Sequence, residues 1–212
     1  MRLTLLGAPG AGKGTQAEQL CRRLDIPAIS TGNILRSAIH DGTSVGLLAQ
    51  SYIDKGELVP DNIVLDIVKE RVSREDCANG FVLDGMPRTV AQAKALEELG
   101  IELDAAVSLE VGDEAIIERM GGRRVCPKCG ATFHLVSNPP KTDGICDMCG
   151  EELIIRPDDA PKTVLSRLET YHTQTEPIKK FYEERGKLHM VDSTGEIGRV
   201  TENVLRSLGI GE

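Results

Sequence analysis

Aromatic residues are scarce in this chain of 212 residues: they make up 3% of it, and tryptophan is absent. A surface on which single-stranded nucleic acid could stack its bases is therefore not expected. Excess positive charge is also lacking, because the formal net charge is −8, which argues against non-specific binding to nucleic acid or to anionic membrane. No apolar run approaches the length of a membrane span, and the N-terminus does not resemble a signal peptide. We expect a soluble cytoplasmic protein that binds neither nucleic acid nor membrane.

A glycine-rich stretch follows the first apolar run of the chain. Residues 7–15 read GAPGAGKGT, after the strand-like residues 3–6 and before a helical segment over 16–24. This order of strand, glycine-rich loop and helix is typical of a phosphate-binding loop. Glycines let backbone N–H groups point at phosphate oxygens, while the helix N-terminus and Lys13 add positive charge. The alternative is a glycine-rich turn that only caps a helix.

Two side chains are candidates for the Mg²⁺ ion that accompanies a nucleotide. The usual phosphate-loop pattern has Ser or Thr directly after the lysine, whereas Gly14 stands there and Thr15 follows it with a hydroxyl. Asp84 ends a buried strand, which is where a parallel sheet binds its ligands. We expect Asp84 to hold Mg²⁺ through water, and the alternative is that it caps the next turn.

Strand and helix patterns alternate along the chain, which predicts an α/β protein with a parallel sheet. A helix is predicted over 61–73, with Asp61 as its N-cap. Two helices are predicted within 161–182, separated at Pro177, the second beginning at Thr175. Strands are predicted at residues 2–6, 27–30, 81–84, 105–110 and 188–192.

Two segments do not fit this alternation. Residues 30–59, here called the first insertion, contain short helical pieces with no strand between them. Residues 122–159, the second insertion, are rich in Gly, Pro and Cys. Both are predicted to be inserted into one core domain, which comprises residues 1–29, 60–121 and 160–212.

The charge of the chain is unevenly placed. Between Arg119 and Arg156 there are six Lys and Arg residues and four Asp and Glu residues, so this segment carries +2 and the rest of the chain −10. An anion-binding site would need cations concentrated in this way. A randomly solvated surface is the alternative, and charge alone does not decide between them.

Four of the six cysteines form two C-x₂-C knuckles separated by sixteen residues. This spacing is typical of a four-thiolate tetrahedral metal site, for which Zn²⁺ is the expected ion. Iron is an alternative, as are disulfides, which a reducing compartment disfavours. An ion whose four coordination positions are filled by thiolates cannot activate water, so its role would be structural. It would stabilise the second insertion, which has few large apolar side chains. The predicted ligands are Cys126, Cys129, Cys146 and Cys149.

The remaining cysteines and the histidines are not assigned to a site. Cys21 and Cys77 have no knuckle partner and are expected to be ordinary buried thiols. His134 is a spare candidate ligand, but with four thiolates present it is expected to be a surface or capping residue. The other histidines are scattered and are expected on the surface: His40, His172 and His189.

Arginines recur in motif-like settings along the chain. Phosphoryl transfer needs positive charge around the transferring oxygens, and guanidinium supplies it because it is always charged and binds phosphate in a bidentate manner. The alternative for each arginine is a surface ion pair. The candidates are Arg36, Arg88, Arg119, Arg123, Arg156 and Arg167.

With these motifs in this order, the chain resembles the adenylate kinase family, in its long form with a zinc-binding lid, over essentially all 212 residues. The resemblance implies a P-loop nucleoside monophosphate kinase fold, with a five-stranded parallel sheet flanked by helices and two inserted lobes. It also implies the reaction ATP + AMP ⇌ 2 ADP with Mg²⁺. Besides the phosphate loop and the knuckles, the resemblance rests on residues 30–32, 58–61, 81–89, 122–124, 156–159 and 191–193.

The resemblance also implies roles for individual residues. The first insertion would be the AMP-binding lobe, and the second would be a zinc-binding lid that closes over ATP and excludes water. ATP would be bound by Gly10, Ala11, Gly12, Lys13, Gly14, Thr15, Arg119 and Arg123. AMP would be bound by Thr31, Arg36, Glu57, Leu58, Val59, Gly85, Arg88, Gln92, Arg156 and Arg167. The catalytic groups would be Lys13, Asp84, Arg88, Arg123, Arg156 and Arg167, with Asp158 and Asp159 positioning the closing arginines.

The sequence departs from the family pattern at three positions. Met86 stands where Phe is usual and is expected to pack beside the AMP pocket, being flexible and apolar. Ile155 stands where Gln is usual and removes an amide beside Arg156. Ser193 stands where Gly is usual, near the expected site of the ATP adenine, so it bears on selectivity for the donor base.

Two other functions stay open at this point. One is a different nucleoside monophosphate kinase, acting on UMP, CMP or GMP, although Thr31 and Gln92 favour AMP. The other is a zinc-ribbon module that binds a partner and uses nucleotide only as a switch. The expected ligands are ATP, AMP and ADP, and the expected oligomeric state is a monomer.

Overall fold

The computed structural model describes residues 1–211 and confirms the predicted α/β fold. All five predicted strands are present within two residues of their expected bounds, and the second insertion adds two short ones. The strands are β1 (Arg2–Leu6), β2 (Ala28–Ser30), β3 (Phe81–Asp84), β4 (Ala105–Glu110), β5 (Arg123–Val125), β6 (Thr132–His134) and β7 (Leu188–Asp192).

Helices cover both faces of the sheet. None of those within residues 1–211 combines the length and the hydropathy that crossing a bilayer requires. The helices are α1 (Lys13–Leu24), α2 (Thr31–His40), α3 (Ser44–Ile53), α4 (Asp61–Val72), α5 (Val90–Glu98), α6 (Asp113–Gly122), α7 (Pro161–Thr170), α8 (Ile178–Glu183) and α9 (Ile197–Ser207).

The helix predicted over 61–73 is confirmed as α4, Asp61–Val72, but its predicted N-cap is wrong, and so is the predicted helix start at Thr175. Pro60, not Asp61, is the N-cap of α4, and the Asp61 side chain accepts a hydrogen bond from Gln92 instead of capping its own helix. Thr175 does not open a helix, because it ends a π-helical turn, Tyr171–Thr175, that continues α7. Pro177 does separate the two helices as predicted, since α8 begins immediately after it.

The central sheet is entirely parallel, with strand order β2-β3-β1-β4-β7. Leu3 and Leu5 of β1 are buried, as are Val82 and Val107 on the neighbouring strands, because helices exclude water from both faces. The chain leaves β1 toward β2 on one side and later returns to β4 on the other. The carboxyl end of β1 is therefore the point where the order reverses, and ligands of open α/β sheets bind at such points.

The two insertions are attached to this core in different ways. Leu35, Ala49 and Val59 of the first insertion belong to the same apolar cluster as Leu83 of the central sheet. The second insertion carries β5 and β6 as an antiparallel hairpin and has a small cluster of its own. That separate cluster consists of Cys126, Phe133, Cys146 and Leu153.

Candidate nucleotide site

The phosphate loop lies at the carboxyl end of β1. Gly10 and Gly12 have φ values of 84° and 98°, in the left-handed region that favours glycine. At Gly10 a side chain would also be excluded, since a Cβ there would lie 2.9 Å from the Met120 sulfur. Gly12 is the N-cap of α1 and no side chain caps it, so the helix presents its first N–H groups to the loop.

Lys13 folds back over this loop. Its Nζ donates to the backbone oxygens of Gly7, at 2.7 Å, and Ala8, at 2.8 Å. The pKa of Lys13 is lowered to about 7, mainly by burial, with Asp84 opposing the shift and neighbouring arginines adding to it. A polyphosphate beside this ammonium would favour its charged form, so the site is built for an anionic ligand.

Asp84, the last residue of β3, lies beside the phosphate loop. Its Oδ2 accepts a hydrogen bond from the Ser30 hydroxyl at 3.2 Å, and a Cβ on Gly14 would lie 3.7 Å from that oxygen. Thr15, which carries a hydroxyl, lines the same cleft. Carboxylate and hydroxyl oxygens are the donors that Mg²⁺ prefers, so these residues fit that ion.

A cleft of about 1040 Å³ runs along the carboxyl edge of the sheet and between the two insertions. All residues predicted to bind ATP or AMP line it except Ala11, which is completely buried beneath the loop. The structure therefore brings together, around one cavity, predicted binding residues that lie up to 157 positions apart in the sequence, from Gly10 to Arg167.

Three predicted arginines and two buried carboxylates form one network beside the cleft. Arg123 Nε donates to Asp159 Oδ2 at 2.7 Å, and Arg156 Nη2 donates to Asp158 Oδ2 at 2.7 Å. Arg167 Nη1 bridges both carboxylates, at 3.0 Å from Asp158 and 3.2 Å from Asp159. Burial alone would raise the pKa of Asp158, but Arg167 and Arg156 outweigh it and hold that pKa well below its usual range. The carboxylates fix the guanidinium groups at the cleft wall.

Arg36 and Arg88 line the same cleft, near Arg156 of this network. Arg36 Nη2 donates to Asn33 Oδ1 at 2.5 Å, and Arg88 Nε donates to the Gly85 carbonyl at 2.9 Å. Burial is the main cause of a lowered pKa in both, to about 9 for Arg36, with nearby Arg156 acting in the same direction. The hydrogen bonds of Arg36 and Arg88 go to an amide oxygen and a backbone carbonyl and not to a carboxylate, which leaves both cations available to a negatively charged ligand.

The predicted base contacts Thr31 and Gln92 are both buried at the floor of the cleft. Thr31 Oγ1 donates to the Gly85 carbonyl at 3.0 Å. The Gln92 amide donates to Asp61 Oδ1 at 2.7 Å and accepts from the Arg88 backbone N–H, also at 2.7 Å. Sequence reasoning missed the contact of Asp61 with Gln92, because the pairing spans 31 positions and leaves no local pattern.

Two further contacts connect elements around the cleft. Hydroxyls of α7 hold the end of the first insertion: Ser166 donates to the Lys55 carbonyl at 2.9 Å and Thr170 to the Gly56 carbonyl at 3.2 Å. The insertions also approach each other, since a Cβ on Gly130 would lie 3.3 Å from Asn33 Nδ2. The structure is therefore one in which the second insertion lies over the cleft.

The departures from the family pattern have distinct surroundings. Met86 is fully buried in the core cluster, directly after Gly85, and its carbonyl accepts from Thr4 Oγ1. Ile155 is exposed. Ser193 is buried, and its carbonyl accepts from Arg119 Nη2 at 2.6 Å.

The four knuckle cysteines converge in the second insertion, as predicted. Their sulfur atoms all lie within 4.8 Å of one another, with separations of 3.4 Å for Cys126–Cys149 and 3.5 Å for Cys129–Cys146. Those separations are far longer than a disulfide bond, and all four thiols are free. Sulfurs about 3.8 Å apart are what a tetrahedral ion with bonds of about 2.3 Å requires. The thiols therefore fit Zn²⁺.

The other cysteines and His134 have structural environments. Cys77 is buried as expected, whereas Cys21 is only half-buried. His134 Nδ1 accepts from the backbone N–H groups of Val136 and Ser137, both at 3.1 Å, so it caps a turn and is not a fifth ligand.

A glycine-rich loop at the sheet's reversal point, a ring of arginines and two insertions facing one cleft define a P-loop phosphotransferase of the nucleoside monophosphate kinase class. The family model described as adenylate kinase matches residues 5–187. Adenylate kinase of Caldicellulosiruptor bescii is 55% identical over 99% of this chain and its own full length, and that of Ruminiclostridium cellulolyticum is 52% identical over the same shares. Adenylate kinase of Acetivibrio thermocellus is 54% identical over 98% of each chain. The chain belongs to the adenylate kinase family.

Proposed function

We propose that this protein transfers the terminal phosphoryl group of Mg·ATP to AMP, reversibly, giving two ADP. The observation that carries the proposal is that one cleft is lined both by Lys13 with the phosphate loop and by Arg36 with Arg88. A donor and an acceptor nucleotide placed end to end would meet there. Such a reaction balances adenine nucleotides in the cell.

The donor side is the phosphate loop. Its amides, the N-terminus of α1 and Lys13 would hold the ATP phosphates, while Arg119 would stack on the adenine. Mg²⁺, where bound, neutralises charge on the phosphates, and Asp84 with Thr15 would hold it.

The acceptor side is the floor of the cleft and the first insertion. Arg36 and Arg88 would clamp the AMP phosphate, and the buried Thr31 and Gln92 would contact its base together with the segment 57–59. The acceptor phosphate is already an anion, so the reaction needs no general base. Asp61 would keep the Gln92 amide in one orientation through the 2.7 Å hydrogen bond described above.

The second insertion and α7 together supply the closing groups. Arg123 and Arg156 of the insertion and Arg167 of α7 would surround the transferring phosphoryl group, oriented by Asp158 and Asp159. Closure of this lid would exclude water, which would otherwise hydrolyse ATP. We propose Zn²⁺ as the ion of the four cysteines, where it would be structural because four thiolates leave no open position.

We further propose a cytoplasmic monomer without nucleic-acid or membrane partners. The net charge of −8 disfavours binding to polyanions. The four knuckle cysteines carry free thiols, and a reducing compartment such as the cytoplasm keeps thiols in that form. Sedimentation of the zinc-loaded protein would test the monomer.

The deciding experiment measures ADP formation from Mg·ATP with AMP, CMP, UMP and GMP as separate acceptors, and with no acceptor. Rapid ADP formation with AMP alone is expected. Transfer to another acceptor would overturn the Thr31–Gln92 assignment, and no transfer to any of the four, in folded metal-replete protein, would favour a nucleotide-switched binding module.

Substitutions on the donor and acceptor sides test the assigned roles of single residues in the same assay. Lys13→Met and Arg88→Ala are expected to lower turnover by about a thousandfold or more without unfolding the protein, because each removes charge from the transferring phosphates. The matched control is Lys180→Met, since Lys180 is an exposed residue of α8. A normal rate in either cleft variant would refute its assignment.

A further inference from the structure

Ser193 connects three parts of the nucleotide site. It follows β7, is 4% exposed, and its backbone N–H donates to the Glu110 carbonyl at the end of β4, at 2.9 Å. Its hydroxyl donates to the Ala11 carbonyl in the phosphate loop, at 2.8 Å. Its carbonyl accepts from the Arg119 guanidinium of α6, at 2.6 Å. One residue thus ties the loop and α6 to the rigid sheet.

The hydrogen bond from the Ser193 hydroxyl restrains the peptide unit that joins Ala11 to Gly12. In a trans peptide the C=O and the following N–H point in opposite directions across one plane. Holding the Ala11 oxygen therefore also sets the direction of the Gly12 N–H. The two residues adjoin closely, since a Cβ on Gly12 would lie 3.6 Å from Ser193 Oγ.

Gly12 needs such a restraint more than other residues do. Its φ of 98° lies where only glycine is comfortable, and glycine has no side chain to limit rotation of the neighbouring peptide planes. No side chain caps α1 at this position. The Ser193 hydroxyl is the side-chain group that fixes this peptide within the described part of the chain.

We propose that Ser193 is a positioning residue for the donor nucleotide, whose hydroxyl aims the Gly12 N–H at the ATP phosphates. The inference rests on the proposed function, because it assumes that the loop binds ATP. The Arg119 contact uses the backbone carbonyl, which every substitution retains. The hydroxyl therefore controls phosphate affinity and leaves selectivity for the donor base unchanged.

The test compares Ser193→Ala, which deletes the hydroxyl, with Ser193→Thr, which restores it. Both are assayed for the KM of ATP and of AMP, for kcat, and for the Kd of inorganic tripolyphosphate, which contacts the loop without a base. Ser193→Ala is expected to raise the ATP KM and the tripolyphosphate Kd by the same factor, about three- to tenfold, as for one lost hydrogen bond. The AMP KM and the preference for ATP over GTP are expected to stay within twofold of the wild type, and Ser193→Thr is expected to recover most of the loss.

Thr201→Val is the matched control for mere loss of a buried hydroxyl. Thr201 is 3% exposed and donates to Gln16 Oε1 at 2.9 Å, tying α9 to α1 without reaching the loop peptide. It should lower stability with little change in tripolyphosphate affinity. Ser193→Gly deletes the same hydroxyl and serves if Ser193→Ala does not fold.

Three results would overturn the proposal while leaving the proposed function intact: unchanged tripolyphosphate affinity in a folded variant without the hydroxyl, an equal loss in Thr201→Val, or a changed ATP preference. Failure of the wild-type protein to transfer phosphate to AMP would instead overturn the proposed function. The two failures are therefore distinguishable in one set of measurements.

Discussion

The two insertions face the same cleft, yet each is stabilised by a different kind of interaction. The first insertion shares an apolar cluster with the central sheet through Leu35, Ala49 and Val59, so it is folded by the same core as the rest of the protein. The second insertion has four clustered residues of its own, two of them knuckle cysteines, and is joined to α7 of the core by the ion pairs of Arg167 with Asp158 and Asp159. A lobe that packs into the core has limited freedom, whereas one that is self-contained can move as a unit.

The largest expected effect concerns the core that the first insertion shares. Leu35→Ala should lower the free energy of unfolding of the whole protein by about 2–4 kcal/mol, because it opens a cavity in the common cluster. Urea denaturation without nucleotide measures it, with Leu47→Ala, 61% exposed in the same insertion, as the control. A loss in Leu35→Ala no larger than in the control would show that this insertion folds separately.

The second prediction concerns the proposed metal site of the second insertion. Cys129→Ser should release the metal ion and lower the onset of thermal unfolding by about 5–10 °C, as a loss of roughly 2–3 kcal/mol would. The rate of transfer at 25 °C should fall by less than about tenfold, because none of the four knuckle cysteines lines the cleft. Calorimetry and zinc analysis measure both quantities, with Cys21→Ser as the control outside the knuckles. Unchanged melting with intact metal content would contradict the structural role.

The third prediction concerns the ionic attachment of the second insertion. The pKa of Asp158 in the folded protein lies below its ordinary value of 3.8, so its pairs stabilise the protein above that pH and are lost as the pH falls through the folded value. Asp158→Asn should cost about 1–2 kcal/mol at pH 7, less than a fully enclosed pair, since the partner arginines line an open cleft. The difference from the wild type should shrink below about pH 4. Denaturation curves at pH 7, 5, 4 and 3 measure it, and a difference independent of pH would refute the pairing.

The smallest expected effect is at the contact between the insertions. Asn33→Ala removes the acceptor of Arg36 and the neighbour of Gly130, so the AMP KM should rise about two- to fivefold with little change in the ATP KM. Steady-state kinetics measure both constants, with the exposed Asn79→Ala as the control. An equal rise in both constants would mean that Asn33 acts on closure and not on the acceptor site.

Much of this architecture was predictable from local sequence. The five sheet strands follow from short apolar runs between turn residues, since a buried parallel strand needs no long-range information to be recognised. The phosphate loop and the cysteine knuckles are equally local, because their chemistry depends on residues a few positions apart. The bounds of the insertions and the roles of single residues in the cleft stay predictions.

What could not be predicted depends on contacts between distant segments. Asp61 looked like a helix cap, but its carboxylate accepts hydrogen bonds from Gln92 and Thr89, and Pro60 occupies the cap position. Thr175 looked like a helix start, but α7 continues into a π-helical turn. The hydroxyl of Ser193 reaches a carbonyl 182 positions away, and no pattern in the sequence announces that contact.

The attachment of α7 to the first insertion has a thermodynamic consequence. Ser166 and Thr170 hold the carbonyls of Lys55 and Gly56, and the same helix carries Arg167 into the arginine network. A ligand that displaces Arg167 must therefore also displace, or strain, the segment that leads into residues 57–59. Thermodynamic linkage makes this effect reciprocal. If the bound donor changes the affinity for the acceptor by some factor, the bound acceptor changes the affinity for the donor by the same factor. Removing the two hydroxyls would bring that factor toward one in both directions at once.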